Sequence, residues 1–417
     1  MSKAPAESTR YGRSPWVDTF PKSRVPSYPR HRGPLRTDVV IVGGGLTGCT
    51  TAYAFAAAGV KVILLEAEQV GHGSSGSSTG WIADDPGVGF LEIENALGRR
   101  AARHAWRSWH RAALDFGSLL RRLGVKCSLE PRGSLLLAAT PEQMVGLKRE
   151  HKARRDAGVD AVSINPRVIA GDVAMTAAGA LRSRDGFTID PFRATLGLAA
   201  EAAKRGVQIF ERSPARRITF DRKSVDVFTA GGTIHADRVV LATGIPTSLF
   251  QALTRHFWFR STFLALTPPI PSKTRRQLGG TTTVVRDAAT PAHVVRWVDD
   301  TGLLVCGADT ETPPLRLRDK VIVQRTGQLM YELSTMYPDI SGIRPSHGWE
   351  SAYARTADGL PYIGPHRNYP HHLFAFGDSS PSVTGAYLAS RILLRHVRGE
   401  SDPADEALGF NRYGHVR

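Results

Sequence analysis

The stretch Thr37-Asp-Val-Val-Ile-Val-Gly-Gly-Gly-Leu-Thr-Gly48, followed through to Glu66, decides the fold. Val39 to Val42 is a short β-branched apolar run, as expected of a strand buried on both faces of a parallel sheet. Gly43, Gly45 and Gly48 follow at G-x-G-x-x-G spacing. Leu46 to Ala58 is alanine-rich and predicts a helix, with Gly59 placed to end it. Lys61 to Leu65 predicts a second buried strand, closed by Glu66.

Each part has a physical role in binding a dinucleotide. Gly43 permits the tight turn, Gly45 lets a pyrophosphate approach the backbone, and Gly48 lets helix and strand pack closely. Leu46 and Thr47 open the helix, whose first N–H groups and partial positive charge face the phosphates. Glu66, with Ala67 beside it, is placed to accept hydrogen bonds from a ribose hydroxyl, and its charge would repel a 2′-phosphate. The stretch alone leaves NAD and FAD both open.

A chain of 417 residues predicts two or three domains, and its 41% hydrophobic and 22% charged content is that of a soluble globular protein. No apolar run approaches the length of a membrane-spanning helix, and the basic N-terminus lacks the apolar core of a secretory signal. Cys49, Cys127 and Cys306 are odd in number and far apart, which predicts no disulfide framework, no metal site and a cytoplasmic location. Of the net charge of +16, residues 1–36 supply eight Lys/Arg against two Asp/Glu. The remainder is dispersed, without the aromatic-lined basic face of a nucleic-acid reader, so no nucleic-acid partner is expected.

Outward from the glycine turn, residues 1–36 form a proline-rich basic arm containing Tyr11, Trp16, Phe20 and Tyr28. Its prolines argue against regular structure, and its aromatics predict that it lies extended on the body or on a partner subunit. The loop Gly71-His-Gly-Ser-Ser-Gly-Ser-Ser-Thr-Gly80-Trp81 follows the second strand. Gly73, Ser74, Ser75, Thr79, Gly80 and Trp81 are therefore candidates for wrapping a cofactor. Residues 89–124 read as helical, and Thr140-Pro-Glu-Gln143 and Asp190-Pro191 as helix starts. Ser224 to Phe228 and Thr233 to His235 read as a hairpin around Gly231-Gly232, and Asp237 to Gly244 as a further buried strand. Phe263 to Leu266, Thr281 to Val285, Val294 to Val298 and Leu303 to Val305 predict an antiparallel sheet. A helix over Asp319 to Met336, a strand over His372 to Phe376 and a helix from Thr384 to Val397 complete the pattern.

With Asp190-Pro-Phe-Arg193, Arg238-Val-Val-Leu-Ala-Thr-Gly244, Trp349-Glu350, Thr356-Ala-Asp-Gly-Leu-Pro-Tyr-Ile-Gly364 and Phe374-Ala-Phe-Gly377 in order, the chain resembles a known family. This is the FAD-dependent amine and amino-acid oxidoreductases of the D-amino-acid oxidase group, with glycine oxidase, sarcosine oxidase and γ-glutamylputrescine oxidase. The resemblance implies an α/β fold: a Rossmann-like FAD-binding domain of glutathione-reductase type, interleaved with an α+β substrate domain on an antiparallel sheet. The domains expected are an arm over 1–36, FAD-binding segments over 37–110, 190–250 and 341–400, substrate segments over 111–189 and 251–340, and a tail over 401–417. The resemblance also implies that Ala215 lies near the adenine and that Thr243 and Gly244 pass the cofactor. It brings Gly377, Asp378, Val383, Thr384 and Gly385 to the flavin ring, where a helix N-terminus suits the negative charge of the reduced form.

The reaction implied is oxidation of a C–N bond by hydride transfer to flavin N5, giving an imine that hydrolyses, with O2 or another electron acceptor. Arg296 matches the arginine that pairs with a substrate carboxylate in amino-acid-binding relatives, and its fork suits that role. Tyr353 and Tyr362 are further pocket candidates. The pattern departs from relatives at Ser77-Ser78, where the putrescine-oxidase branch has Arg-Asn and others attach FAD through histidine; non-covalent FAD is expected. It departs again at Gly377-Asp-Ser-Ser-Pro-Ser-Val-Thr-Gly385, where Pro381 stiffens the turn and removes a donor. Alternatives are a dehydrogenase with a non-oxygen acceptor, a tRNA-modifying flavoenzyme and a non-catalytic flavin-binding protein.

Overall fold

A computed structural model describes residues 8–159, 161–377 and 381–412. The chain divides into two compact units. One holds Thr19–Glu130, Phe187–Trp258 and the chain from Tyr353 onward; the other holds the chain up to Asp18, Pro131–Gly186 and Phe259–Ala352. These bounds differ from the expected ones at several points. The arm is split at Asp18, and residues 111–130 join the first unit because Arg99–Arg122 is one continuous helix. The helical stretch 89–124 is itself two helices, Phe90–Leu97 and Arg99–Arg122, broken at Gly98, whose φ is +84°.

The first unit is built on a mainly parallel sheet. Its strands run in the order Gln208–Phe210, Val62–Leu65, Leu35–Val42, Gly232–Gly244, Tyr369–Phe376, with Tyr362–His366 antiparallel at the end. Val40, Ile41, Leu64, Val239 and Val240 are fully buried, as continuous apolar runs in a two-sided parallel sheet should be. The strand Gly232–Gly244 replaces the two shorter strands expected over Thr233 to His235 and Asp237 to Gly244. On one edge it pairs throughout with Leu35–Val42. On the other, its first half pairs antiparallel with Val225–Thr229 and its second half pairs parallel with Tyr369–Phe376. Gly231 and Gly232 turn the hairpin and also admit the arm: a Cβ at Gly231 would lie 1.8 Å from the His31 carbonyl oxygen.

Helices Leu46–Ala57, Pro191–Lys204 and Thr384–Arg398 pack together in this unit. Asp190 caps the second of them by accepting from the Arg193 N–H at 2.9 Å, as expected. An aromatic layer of Phe250, Phe257, Phe374, Phe376, Tyr362 and Phe410 fills the core on the sheet.

The second unit carries a nine-stranded sheet. Trp258–Leu266, Gly302–Glu311, Val294–Val298 and Thr283–Asp287 pair antiparallel in that order. Thr283–Asp287 then pairs parallel with Gly133–Ala138, so the sheet is mixed rather than purely antiparallel. Ile322, Thr326, Leu329 and Leu333 form the buried stripe of helix Arg318–Met336. Ile322, Leu329 and Leu333 pack with Phe263, Val295, Trp297, Leu303 and Val305 of the sheet. Helix Pro141–Asp156 has the full capping box at Thr140 and Gln143.

The described part of the arm lies against both units in turn. Arg10–Tyr11 adds a parallel strand beside His347–Gly348. Farther on, Glu211 accepts the N–H of Tyr28 at 3.2 Å and Ser213 accepts that of His31 at 2.9 Å. Among the described residues no helix is long and apolar enough to cross a membrane, and no group of acids, histidines and cysteines is arranged to hold a metal.

Candidate functional site

The predicted cofactor residues of the first unit converge at the carboxyl ends of its parallel strands, where open α/β sheets bind ligands. Gly43 leaves strand Leu35–Val42 at φ +112°, and a Cβ there would lie 2.6 Å from the Ala242 carbonyl oxygen. A Cβ at Gly48 would lie 1.8 Å from the Gly43 carbonyl oxygen, so helix and strand touch through backbone. Gly45 is the N-cap of helix Leu46–Ala57 and has no side chain to cap it. The Leu46 N–H instead donates to Ser75 Oγ at 2.7 Å, which ties the serine loop to the helix start.

Glu66 is held by one hydrogen bond on each oxygen: Gly44 N–H donates to Oε2 at 2.6 Å and Glu68 N–H to Oε1 at 2.8 Å. Each carboxylate oxygen retains accepting capacity for a ribose hydroxyl. Ser213 N–H donates to the Glu66 carbonyl at 2.8 Å, which brings Ser213 to Ala215 alongside. Ala67 is exposed next to Glu66. Thr243 Oγ1 donates to the Ile245 carbonyl at 2.8 Å, and Gly377 N–H donates to the Gly244 carbonyl at 3.0 Å, joining two strand ends. Asp378 lies outside the described residues.

The serine loop and the last helix are laced together across the sequence. Gly73 leads into a single helical turn, Ser74–Ser77. Thr79 Oγ1 donates to the Pro381 carbonyl, and Val383 N–H donates to the Trp81 carbonyl at 2.8 Å. Ser382 Oγ accepts from Ala83 N–H at 3.1 Å and Thr384 N–H at 3.2 Å, and Thr384 Oγ1 donates to the Ala83 carbonyl, 301 positions away, at 2.6 Å. Helix Thr384–Arg398 begins here with Val383 as N-cap and no side-chain cap. Gly80, Trp81, Val383, Thr384 and Gly385 thus occupy one locality.

Trp109 lies on helix Arg99–Arg122 and is buried. Its ring lies against Gly385, where a Cβ would meet it at 3.5 Å, and its buried Nε1 has no hydrogen-bond partner among the described residues. Its place on the amphipathic helix Arg99–Arg122 gives no sequence signal for this. Two uncapped helix starts, a glycine turn that tolerates no side chain, an anchored acid and an orphaned indole N–H fit a bound dinucleotide.

All three cysteines are free and buried. Burial pushes the thiols of Cys127 and Cys306 up to about 12 and that of Cys49 higher still. Ser77 and Ser78 bond to backbone within their own turn, through Gly73 and Ser75. His72 lies edge-on to Phe192 and contacts the Val70 carbonyl.

Arg296 belongs to the other unit, in the middle of strand Val294–Val298. Val295 and Trp297 face the core beneath helix Arg318–Met336, so alternation puts Arg296 on the opposite face. It is 4% exposed, and its guanidinium carbon lies 5.1 Å from the ring centre of Trp16 in the arm. Tyr362 sits in the aromatic core, stacked on Phe410 at 4.8 Å and with the Arg412 guanidinium 3.6 Å from its ring centre. Phe410 and the Arg412 guanidinium pack on its ring. Tyr353 is half-buried beside the fully buried Ala354.

Comparison with known proteins agrees with this geometry. The family model described as "DAO: FAD dependent oxidoreductase" matches residues 38–395. The chain is 25% identical over 387 residues to gamma-glutamylputrescine oxidoreductase of Escherichia coli, covering 91% of this chain and 88% of that one. It is 26% identical over 386 residues to glycine oxidase of Bacillus licheniformis, covering 88% and 95%. Among solved structures, glycine oxidase from Geobacillus kaustophilus superposes with a TM-score of 0.75 over 89% of this chain and 97% of that one, at 20% identity, which speaks for the fold.

Proposed function

The chain belongs to the DAO family of FAD-dependent oxidoreductases, and from that premise we propose that it oxidises the C–N bond of an amine or amino acid, with FAD held non-covalently. The reading is carried by the convergence of Gly43 to Gly48, Glu66, Thr243, Gly377 and Thr384 on one end of the parallel sheet. The first turn of helix Leu46–Ala57 would receive the pyrophosphate, and Glu66 the adenosine ribose. The start of helix Thr384–Arg398 would carry negative charge that develops on the ring. When bound, the flavin accepts the hydrogen and electron pair that leave the substrate carbon. The relatives named for glycine and for gamma-glutamylputrescine support a nitrogen-bearing substrate. The absence of a reactive thiol supports the non-covalent reading.

Arg296 is assigned the substrate carboxylate, which it suits through its paired N–H donors and its low exposure. The test is an anaerobic screen of the yellow protein against amines, N-methyl amino acids and D- and L-amino acids, read as bleaching of the visible flavin band. Bleaching by a member of one class supports the proposal; bound flavin that none of them reduces refutes it. Arg296→Ala should raise the apparent dissociation constant for a carboxylated substrate while flavin content is unchanged. Unchanged affinity would remove Arg296 from the site.

A further inference from the structure

Helix Arg99–Arg122 packs against helix Thr384–Arg398, and Phe116 stacks on Tyr387 at 5.5 Å between them. About two turns earlier on the first helix, Trp109 meets the beginning of the second. Its Cζ2 and Cη2 would lie 3.5 and 3.9 Å from a Cβ at Gly385. Cζ2 is bonded to the ring carbon that carries Nε1, so the N–H edge of the indole is the edge turned to that helix start. Trp109 is 2% exposed, and its buried Nε1 has no acceptor among the described residues. Its neighbours one helical turn away, Ala105, Trp106, Ala112 and Ala113, offer no side-chain acceptor. In the backbone beside it, Val383 N–H donates to the Trp81 carbonyl, Thr384 N–H to Ser382 Oγ and Ala386 N–H to the Val383 carbonyl. The Gly385 N–H lies in the same first turn, where an α-helix leaves its donors without intrahelical acceptors. A buried indole donor and a helix start therefore converge at Gly385.

We propose that Trp109 is a flavin-binding residue whose Nε1–H donates to the pyrimidine edge of the ring, beside the start of helix Thr384–Arg398. The inference rests on the flavin reading of this locality and adds to it a residue from outside the glycine turn, the serine loop and the last helix. Packing alone does not account for an indole here, because phenylalanine would fill an apolar seam without bringing a polar atom into it. A buried N–H without an acceptor is destabilising, and nearly all such groups in folded proteins have one. Reduction places negative charge on the side of the ring that carries N1 and the C2 carbonyl. A donor there holds the charged state more strongly than the neutral one, and the helix start acts in the same direction. Trp109 thus tunes how readily the ring accepts electrons from a substrate.

The experiment uses the flavin-loaded full chain and two readouts besides turnover. One is the affinity for sulfite, whose adduct leaves negative charge on the pyrimidine edge, titrated by loss of the visible band. The other is the two-electron midpoint potential against a redox dye, which decides alone if the unsubstituted chain forms no adduct. Trp109→Phe keeps an aromatic ring and removes the N–H. It should weaken sulfite about ten-fold and lower the midpoint potential by the same factor, about 30 mV for a two-electron couple. Trp106→Phe, one turn away on the same helix, should change either by less than about two-fold. Equal shifts in the two variants, or unsubstituted values in Trp109→Phe, overturn the proposal, and substrate bleaching of the same samples then leaves the functional reading standing. If Trp109→Phe purifies without flavin, benzothienylalanine at that position decides, since it keeps the bicyclic shape and puts sulfur in place of the N–H. Ten-fold weaker sulfite, or flavin lost from this isostere too, supports the bond; undiminished sulfite affinity overturns it. An unsubstituted chain that holds no flavin removes the functional reading, and the proposal with it.

Discussion

Arg412 offers the sharpest test of how the first unit is held together. Its side chain is 1% exposed and that of Asp358 is fully buried. Nε donates to Oδ2 at 2.6 Å and Nη2 to Oδ1 at 2.7 Å, a two-pronged pair. Nη1 also donates to the Pro361 carbonyl at 2.8 Å and Nη2 to the Leu360 carbonyl at 2.9 Å. Asp358 also accepts from Leu360 N–H and Thr356 Oγ1, so one carboxylate and one guanidinium organise the whole loop 356–361. Arg412→Ala leaves that carboxylate buried with neutral donors only, and breaking such a pair costs about 3–5 kcal/mol. At roughly 2–4 °C per kcal/mol for a unit of this size, the unfolding midpoint should fall by at least about 6 °C. Replacing both partners by apolar groups, Asp358→Leu with Arg412→Met, should cost far less, because no charge is then stranded. The assay is thermal unfolding followed by the rise in flavin fluorescence on release, which reports the unit that holds the cofactor. A shift under about 2 °C for Arg412→Ala, or a double variant as damaged as the single one, would refute the reasoning.

Three further outcomes are expected. His293 sits between Asp287 at 2.7 Å and Glu332 at 2.9 Å, and the Asp287 hydrogen bond, aided by Glu332 and opposed by burial, pushes it up to about 9. Because the folded value lies above the unfolded one of about 6.5, its stabilisation, on the order of 3 kcal/mol, is complete below pH 6.5 and is lost as pH rises through about 9. His293→Gln should flatten the denaturant midpoint across that window, and an unchanged pH slope would contradict the assignment. Gly48→Ala forces a methyl group to within 1.8 Å of the Gly43 carbonyl oxygen, and purified protein should lose its visible flavin absorbance relative to 280 nm. Ser382→Ala strands the buried Ala83 N–H at a cost of about 1–3 kcal/mol, and should speed flavin dissociation in a stopped-flow chase.

The first βαβ was legible because its code is local: the two strands, the three glycines, the helix and Glu66 all lie within Val39 to Glu66. The cap at Asp190 was equally local. The same signature at Asn165-Pro166 went unread, although Asn165 caps helix Pro166–Val173 through the Val168 N–H. Gly98 was hidden by apolar periodicity that continues across it, so two helices read as one. Glycine content marked the 71–80 loop, but the hydroxyls of Thr79, Ser382 and Thr384 that fasten its end and Ala83 to the start of the last helix carry no periodic or compositional mark. The arm's aromatics implied that it docks, yet not that Trp16 would meet Arg296. Arg412 and Asp358 are 54 positions apart, and a single buried pair among so many surface charges has no signature in sequence.

The lacing of Thr79 to Ala83 with Pro381 to Thr384 also sets an order of events in the life of the chain. The glycine turn, its helix and Glu66 are synthesised well before helix Thr384–Arg398, whose Thr384 bonds Ala83 from 301 positions later. Until it arrives, the bonds that join Thr79, Trp81 and Ala83 to Pro381 to Thr384 cannot form, and a loop of 301 positions must close before they do. Cofactor capture should therefore follow this closure rather than precede it. A chain truncated before Pro381 should emerge with a complete dinucleotide fingerprint and no flavin.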